Sequence, residues 1–174
     1  MIITVDKFKE FVDVKEPDEI IEAKLTALES LIRKYTNNNF QVRSIRSQSA
    51  IFDGKILNPP AFLKPGDSIH ITESMLNNGV YEVVSIDENG MNVSKDLLDC
   101  RRNLVTKIEY PPDVVMGVVN MLKWDLQNRN KIGIQSETIS RHSVTYFSVD
   151  GDKTVMGYPK MLLGFLTPYM KARF

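Results

Sequence analysis

An apolar stripe near the start of the chain has no helical partner until the sequence has passed through a long stretch of β-type character. Pro17 suits the first position of a helix, and Asp18 and Glu19 follow near its positive end. Ile21, Leu25, Leu28, Ile32 and Tyr35 then recur at three- and four-residue steps and share one face. Glu29 and Arg33, spaced i, i+4, are expected to pair on the wet side. Asn37-Asn38-Asn39 stops this helix. The next strong helical signal begins only at Pro111-Pro112, from which Val115, Val118, Val119, Leu122 and Leu126 line one face to about Gln127. A helical stripe must be covered, and these two can be covered only by each other. The segment between them is therefore an insertion into a helical domain, not a second half in series.

Val114, Met121 and Trp124 widen the apolar arc of the later helix beyond what a surface helix needs. That helix is either central to the chain or meets a neighbouring subunit as well as its own core. Thr4 can cap a short helix running to Phe11. At the other end a helix is expected from Pro159, with Leu162, Phe165, Leu166 and Tyr169 at helical spacing and a stop or kink at Pro168. The intervening residues 128–158 are polar, with Val144, Tyr146 and Val149 hinting at a strand before Asp150-Gly151-Asp152. A segment of that composition is expected to be either disordered or ordered by a partner.

Within the insertion the pattern shifts to short strands: Ala50–Phe52, Ser68–Thr72, Val80–Ile86, Met91–Val93 and Leu104–Tyr110. Asp53-Gly54, Pro65-Gly66-Asp67, Asn77-Asn78-Gly79 and Asn89-Gly90 supply the turns. Gly66–Ile71 followed by Asn78–Val84 reads like two adjoining strands of an SH3-like barrel. The expected class is α+β: a small helical bundle of three to four helices, residues 1–40 and 111–174, with an inserted small SH3-like β-barrel or β-sandwich over 41–110.

Charge bears on function more than on fold. Lys plus Arg and Asp plus Glu each number 22, so the formal charge is zero. A protein that wraps duplex DNA by neutralising phosphates carries clustered excess Lys and Arg, so nucleic-acid binding as the main activity is disfavoured. The single cysteine, Cys100, cannot form an internal disulfide, which fits a reducing cytoplasm. No apolar run approaches the roughly 20 residues of a membrane span, and the N-terminus lacks the pattern of a secretion signal. The histidines, His70 and His142, are far apart in sequence, no Cys–His cluster has zinc spacing, and no glycine-rich loop fits a phosphate. Asp87-Glu88-Asn89-Gly90 reads as a hairpin turn rather than a calcium loop. Catalytic, cofactor-binding and metal-binding residues are thus expected to be absent.

The C-terminal third carries a more specific pattern. Ile132-Gly133-Ile134-Gln135-Ser136-Glu137-Thr138-Ile139 is followed by Ser143-Val144-Thr145-Tyr146, then Gly157-Tyr158-Pro159, then Leu166-Thr167-Pro168-Tyr169. This succession resembles the head–tail connector (adaptor) family of long-tailed bacteriophages and prophages. The N-terminal helices are similar too, so the resemblance covers about residues 1–40 and 110–174. Ser140-Arg141 departs from the Gly-Asp that many members carry in the turn after the first motif.

The resemblance implies a structural subunit of the virion, made in the host cytoplasm. Its copies form a ring of about a dozen, cyclic and head-to-tail. The ring docks beneath the portal protein, extends a channel through which DNA passes without specific binding, and receives a stopper or tail-completion protein. No cofactor and no membrane contact are implied.

On that reading Met121 and Trp124 are expected at or near subunit contacts, with monomer core the alternative place for Trp124. The arm with Glu137, Arg141 and Tyr146, and the C-terminal Tyr169, Lys171, Arg173 and Phe174, are expected to engage neighbours or the portal. Val115, Val119 and Leu122, with Leu25, Leu28 and Ile32, would form the monomer core, and the β insertion would lie outside the ring. The alternative is a cytosolic protein-binding adaptor with an SH3-like module, which would need clustered exposed aromatics in a peptide groove.

Overall fold

The structure is a computed structural model and describes residues 1–128 and 154–172, together with the backbone of two strands, Ser136–Ile139 and His142–Thr145. It is an α+β protein whose contacts divide it into two compact units. One comprises Met1 and Asn38–Tyr110, and the other Ile2–Asn37 and Pro111–Phe174.

The first helix of the helical unit, α1 (Val5–Phe11), is capped by Thr4, whose hydroxyl accepts from the Lys7 amide at 3.4 Å. It buries Phe8 completely. The second helix, α2 (Asp18–Thr36), begins one residue later than expected. Pro17 is its cap rather than its first residue, and its carbonyl accepts from the amides of Ile20 and Ile21. Ile21, Leu25, Leu28 and Ile32 are buried as the stripe requires, each burial contributing about 1.5–3 kcal/mol. Asn37 closes the helix in the left-handed conformation, which asparagine tolerates better than most residues.

Glu29 departs from expectation. It is buried, and its carboxylate accepts from the Ile2 amide at 3.1 Å. The i, i+4 spacing to Arg33 gave no hint of this. The residues before α1 had to fold back over α2 before the carboxylate had an amide to hold.

The third helix, α3 (Pro112–Asn128), touches α2 and a C-terminal 3₁₀ helix (Lys160–Tyr169), which also touches α2. Its wide apolar arc is therefore covered on two sides within one chain, and α3 is the central helix of its unit. At Gly117 the 3₁₀ helix places the Phe165 ring against α3. A Cβ at that position would lie 2.3 Å from the tip of the Phe165 ring, so the ring seats itself on the bare helix backbone. In the 3₁₀ helix Leu163 and Leu166 are the buried pair, not Leu162. Their three-residue step matches the 3₁₀ period, whereas the expected set assumed 3.6. Pro168 is accommodated near the end, where the expected kink fell.

In the β unit six strands close into an antiparallel barrel: β1 (Gln41–Phe52), β2 (Lys55–Leu57), β3 (Ser68–Thr72), β4 (Gly79–Asp87), β5 (Gly90–Val93) and β6 (Cys100–Ile108). The order around the barrel is β1-β2-β5-β4-β3-β6, with β6 returning to β1. Asp53 and Gly54, both at positive φ, form the two-residue turn between β1 and β2, and Phe52 pairs with Lys55. The Asp87 carboxylate accepts from the Asn89 amide at 2.7 Å and from Lys55 Nζ at 3.2 Å, fixing the β4–β5 turn.

Ile51, Ile56, Ile69, Ile71, Val83, Met91 and Val105 fill the interior. Gly90 is required where β5 crosses β2. Its φ is +138°, and a Cβ there would meet the Ile56 carbonyl oxygen at 2.7 Å. Where the chain enters and leaves the barrel, the rings of Phe40 and Tyr110 meet at 4.8 Å with a 45° tilt, and the Glu109 amide donates to the Phe40 carbonyl at 3.0 Å.

Two further pairings lie in the C-terminal part. β7 (Ser136–Ile139) pairs antiparallel with β8 (His142–Thr145), with Ser136 opposite Thr145 and Ile139 opposite His142. β9 (Thr154–Val155) pairs with β10 (Tyr158–Pro159). The segment read as a polar arm thus includes regular β pairing.

Candidate interaction surfaces

The expected interface residues fall into three groups. Met121 is completely buried in α3. It has no surface to offer a neighbour, so its assignment to a subunit contact is corrected to the core of its own unit. The helix face that carries it is covered by the chain's own elements.

Trp124 is half-buried, and its ring meets that of Tyr158 at 5.7 Å with a 55° tilt. Beside it, buried Asp125 accepts from Tyr158 Oη at 3.4 Å and from Lys24 Nζ at 3.3 Å. Lys24 also faces Glu16 at 3.5 Å. Lys24, Asp125 and Tyr158, with Leu28, Leu31 and Met156, line a cavity of about 310 Å³ in the helical unit.

At the C-terminus, Tyr169 is half-buried and its hydroxyl donates to both carboxylate oxygens of Asp113 at 2.8 Å. The Asp113 carboxylate pushes the phenol above its ordinary value, because it stabilises the protonated form. The Lys171 amide donates to the Thr36 carbonyl at 2.8 Å, and the Ala172 carbonyl accepts from Asn37 Nδ2 at 2.7 Å. The tail is therefore tied by its backbone to the end of α2, leaving the Lys171 side chain exposed. Glu137 lies in β7, its backbone opposite Val144. Arg141, Tyr146, Arg173 and Phe174 lie outside the described residues.

The most elaborately built surface is one the sequence reading passed over. Between β3 and β4 the Glu73–Asn78 loop is held by buried polar side chains. Ser74 Oγ accepts from the amides of Leu76 and Asn77, and Asn78 Oδ1 accepts from the Ser74 amide. Asn77, 3% exposed, donates through Nδ2 to the Leu98 carbonyl at 2.8 Å and accepts from the Leu98 amide at 2.9 Å. Tyr81 Oη donates to the Asn77 carbonyl at 3.0 Å.

This framework presents apolar side chains to solvent: Met75 at 94%, Leu76 at 60% and Leu98 at 60% exposure. Isolated exposed apolar residues are commonplace, but three carried by one pinned pair of loops mark a contact surface. Met75 shares a depression of about 530 Å³ with Glu73, Cys100, Arg101 and Arg102. The signal that could have found it is Met75-Leu76 standing inside a Glu-Ser…Asn-Asn-Gly turn, where no core position accounts for two adjacent large apolar residues.

His70 Nδ1 lies 3.0 Å from Gln41 Nε2 on the barrel. Among the described residues no group of three or more His, Cys, Asp and Glu is placed to hold a metal ion, and no helix is long and apolar enough to cross a membrane. No protein-family model matches the chain, and no curated protein matches it.

Proposed function

We propose that this chain is a structural subunit of a long-tailed bacteriophage or prophage, a connector whose copies form a ring between the portal vertex and the stopper or tail. The observation that carries the reading is apolar surface left over after both cores are closed. Phe62, Met75, Leu76, Leu98 and Met161 are each at least 60% exposed, while each unit buries an apolar core of its own. Such leftovers suit a chain whose final environment is an assembly.

The motif resemblance over residues 132–169 supports the same reading. So does the zero formal charge, which lets DNA pass a ring without being held. The barrel is read as SH3-like, from its small size and its β3–β4–β5 meander. Residence at the head–tail junction follows, after synthesis in the host cytoplasm.

The decisive experiment is co-purification with the portal protein encoded beside this gene, followed by negative-stain imaging. Rings seated on the portal are expected. A chain that never associates with any portal of its own genome would overturn the reading. Lys171→Glu should weaken that association while leaving the fold intact, because the side chain is exposed and the Lys171 backbone amide bonds the Thr36 carbonyl.

A further inference from the structure

The formal charge of zero conceals a separation of signs. β1 and β6 are paired along most of their length, and together they carry Arg43, Arg46, Arg101, Arg102 and Lys107 with no acidic residue on either strand. The four arginines are exposed, while Lys107 is bridged to Asp67 at 3.2 Å. Arg101 and Arg102 border the depression they share with Met75, next to the pinned Met75–Leu76–Leu98 surface. The ribbon thus ends in an apolar tip, flanked by the exposed carboxylates of Glu73 and Asp99.

The opposite combination occurs in the helical unit. From Asp6 to Glu22 the chain has seven carboxylates against three lysines. Lys9 pairs with Asp18, bringing the end of α1 to the start of α2. Phe11 and Ile20, at 48% and 46% exposure, stand among those acids. One surface is basic with apolar side chains, and the other acidic with apolar side chains.

We propose that these two surfaces are complementary, and that the β1–β6 ribbon with Met75, Leu76 and Leu98 docks on the α1–α2 corner of a second copy of this chain. Because the two patches differ, the contact is heterologous and propagates from copy to copy, closing into a ring if the rotation allows. Opposite potentials set its direction and register, and the apolar side chains supply the desolvated centre. The pinned loop loses little conformational freedom on docking, which favours association. Nucleic acid is the less favoured occupant of the arginines, since three large apolar side chains beside them offer nothing to phosphate. The inference rests on the reading of the chain as a self-assembling subunit and names the surfaces involved.

Sedimentation velocity on the full chain, over a concentration series at low and high salt, tests it. The wild type should self-associate, less so as salt screens the contact. Arg101→Glu with Arg102→Glu should weaken association about tenfold or more. Asp13→Arg with Glu22→Arg should do the same, leaving Asp18 and Glu19 to support the start of α2. Circular dichroism should show both variants folded. Mixing the two, or combining all four changes in one chain, should restore association.

A wild type that stays monomeric throughout, an Arg101/Arg102 variant that still associates, or a mixture that fails to recover overturns the proposal. Loss of single-stranded DNA binding in the arginine variant, with self-association unchanged, overturns it in favour of nucleic acid. Rings of the arginine variant on the portal would remove this interface and leave the connector reading standing. Failure of the wild type to bind any portal of its own genome would remove the connector reading whatever the sedimentation result.

Discussion

At the scale of single residues, buried side chains that hold backbone decide what the surface presents. Asn77 satisfies both main-chain groups of Leu98 and thereby fixes two loops at once. Asn77→Ala should cost about 1–3 kcal/mol in urea denaturation, because it strands the amide and carbonyl of Leu98. Asn77→Asp should cost at least as much, because the Nδ2 donor becomes a buried carboxylate oxygen facing the Leu98 carbonyl. Equal stability of the alanine variant and the wild type would show that the loop does not depend on this side chain.

Asp87 makes a pH-dependent contribution. The Asn89 amide first, and Lys55 second, hold its carboxyl below the ordinary value of 3.8. A folded value lower than the unfolded one contributes stability above the unfolded value, and that stability is lost as pH falls through the folded value. Wild type and Asp87→Ala should therefore differ at neutral pH and converge well below 3.8, measured by paired denaturation curves. A gap that persists in acid would assign the effect to something other than this charge. The burial of Glu29 belongs to this scale too. Its helical position made it look solvent-facing, and the return of Ile2 over α2 gives its carboxylate a backbone amide to accept from.

Among the elements, two glycines mark where backbones approach too closely for a side chain. Gly90→Ala should cost about 3 kcal/mol or more, since strain at positive φ adds to a clash with the fixed Ile56 carbonyl. Gly117→Ala opposes two effects. Alanine favours the helix by about 1 kcal/mol, whereas displacing the Phe165 ring costs about 1–3 kcal/mol. Net destabilisation is expected in thermal unfolding, with recovery on adding Phe165→Leu. Additive effects of the two changes would mean that the ring does not rest on this glycine.

The legibility of elements followed local chemistry. β3 was read at its observed bounds from alternating Ser68-Ile69-His70-Ile71-Thr72, and α2 from its stripe and Asn37. Most of β1 was missed. Its first part, Gln41–Ser49, is polar and only sparsely apolar, and it is held as strand by pairing with β6 through a register shift between Val42 and Arg46. A ladder of that kind leaves no periodic trace in the strand that accepts it.

For the molecule as a whole, the β unit, apart from Met1, is one stretch interrupting the helical unit in sequence. Its two ends meet through Phe40 and Tyr110. Replacing residues 39–109 with a short glycine-serine linker should therefore leave the helical unit folding cooperatively, with its helical circular dichroism retained. An unfolded product would show that the helices need the barrel. The same deletion should abolish self-association if the arginine ribbon is the contact, and leave it unchanged if the helical unit alone carries assembly.

The amino-acid order by itself determined the two helical stripes, the caps and stops around them, the tight turns of the insertion and hence the α+β class. Each of these depends on residues within a few positions of one another, where spacing and turn chemistry act directly. Barrel closure, the inward placement of Glu29, the burial of Met121, and the joining of Met75, Leu76 and Leu98 through Ser74 and Asn77 were decided only by tertiary structure. Those outcomes depend on which distant backbones come into contact, and a residue cannot signal a partner that lies dozens of positions away.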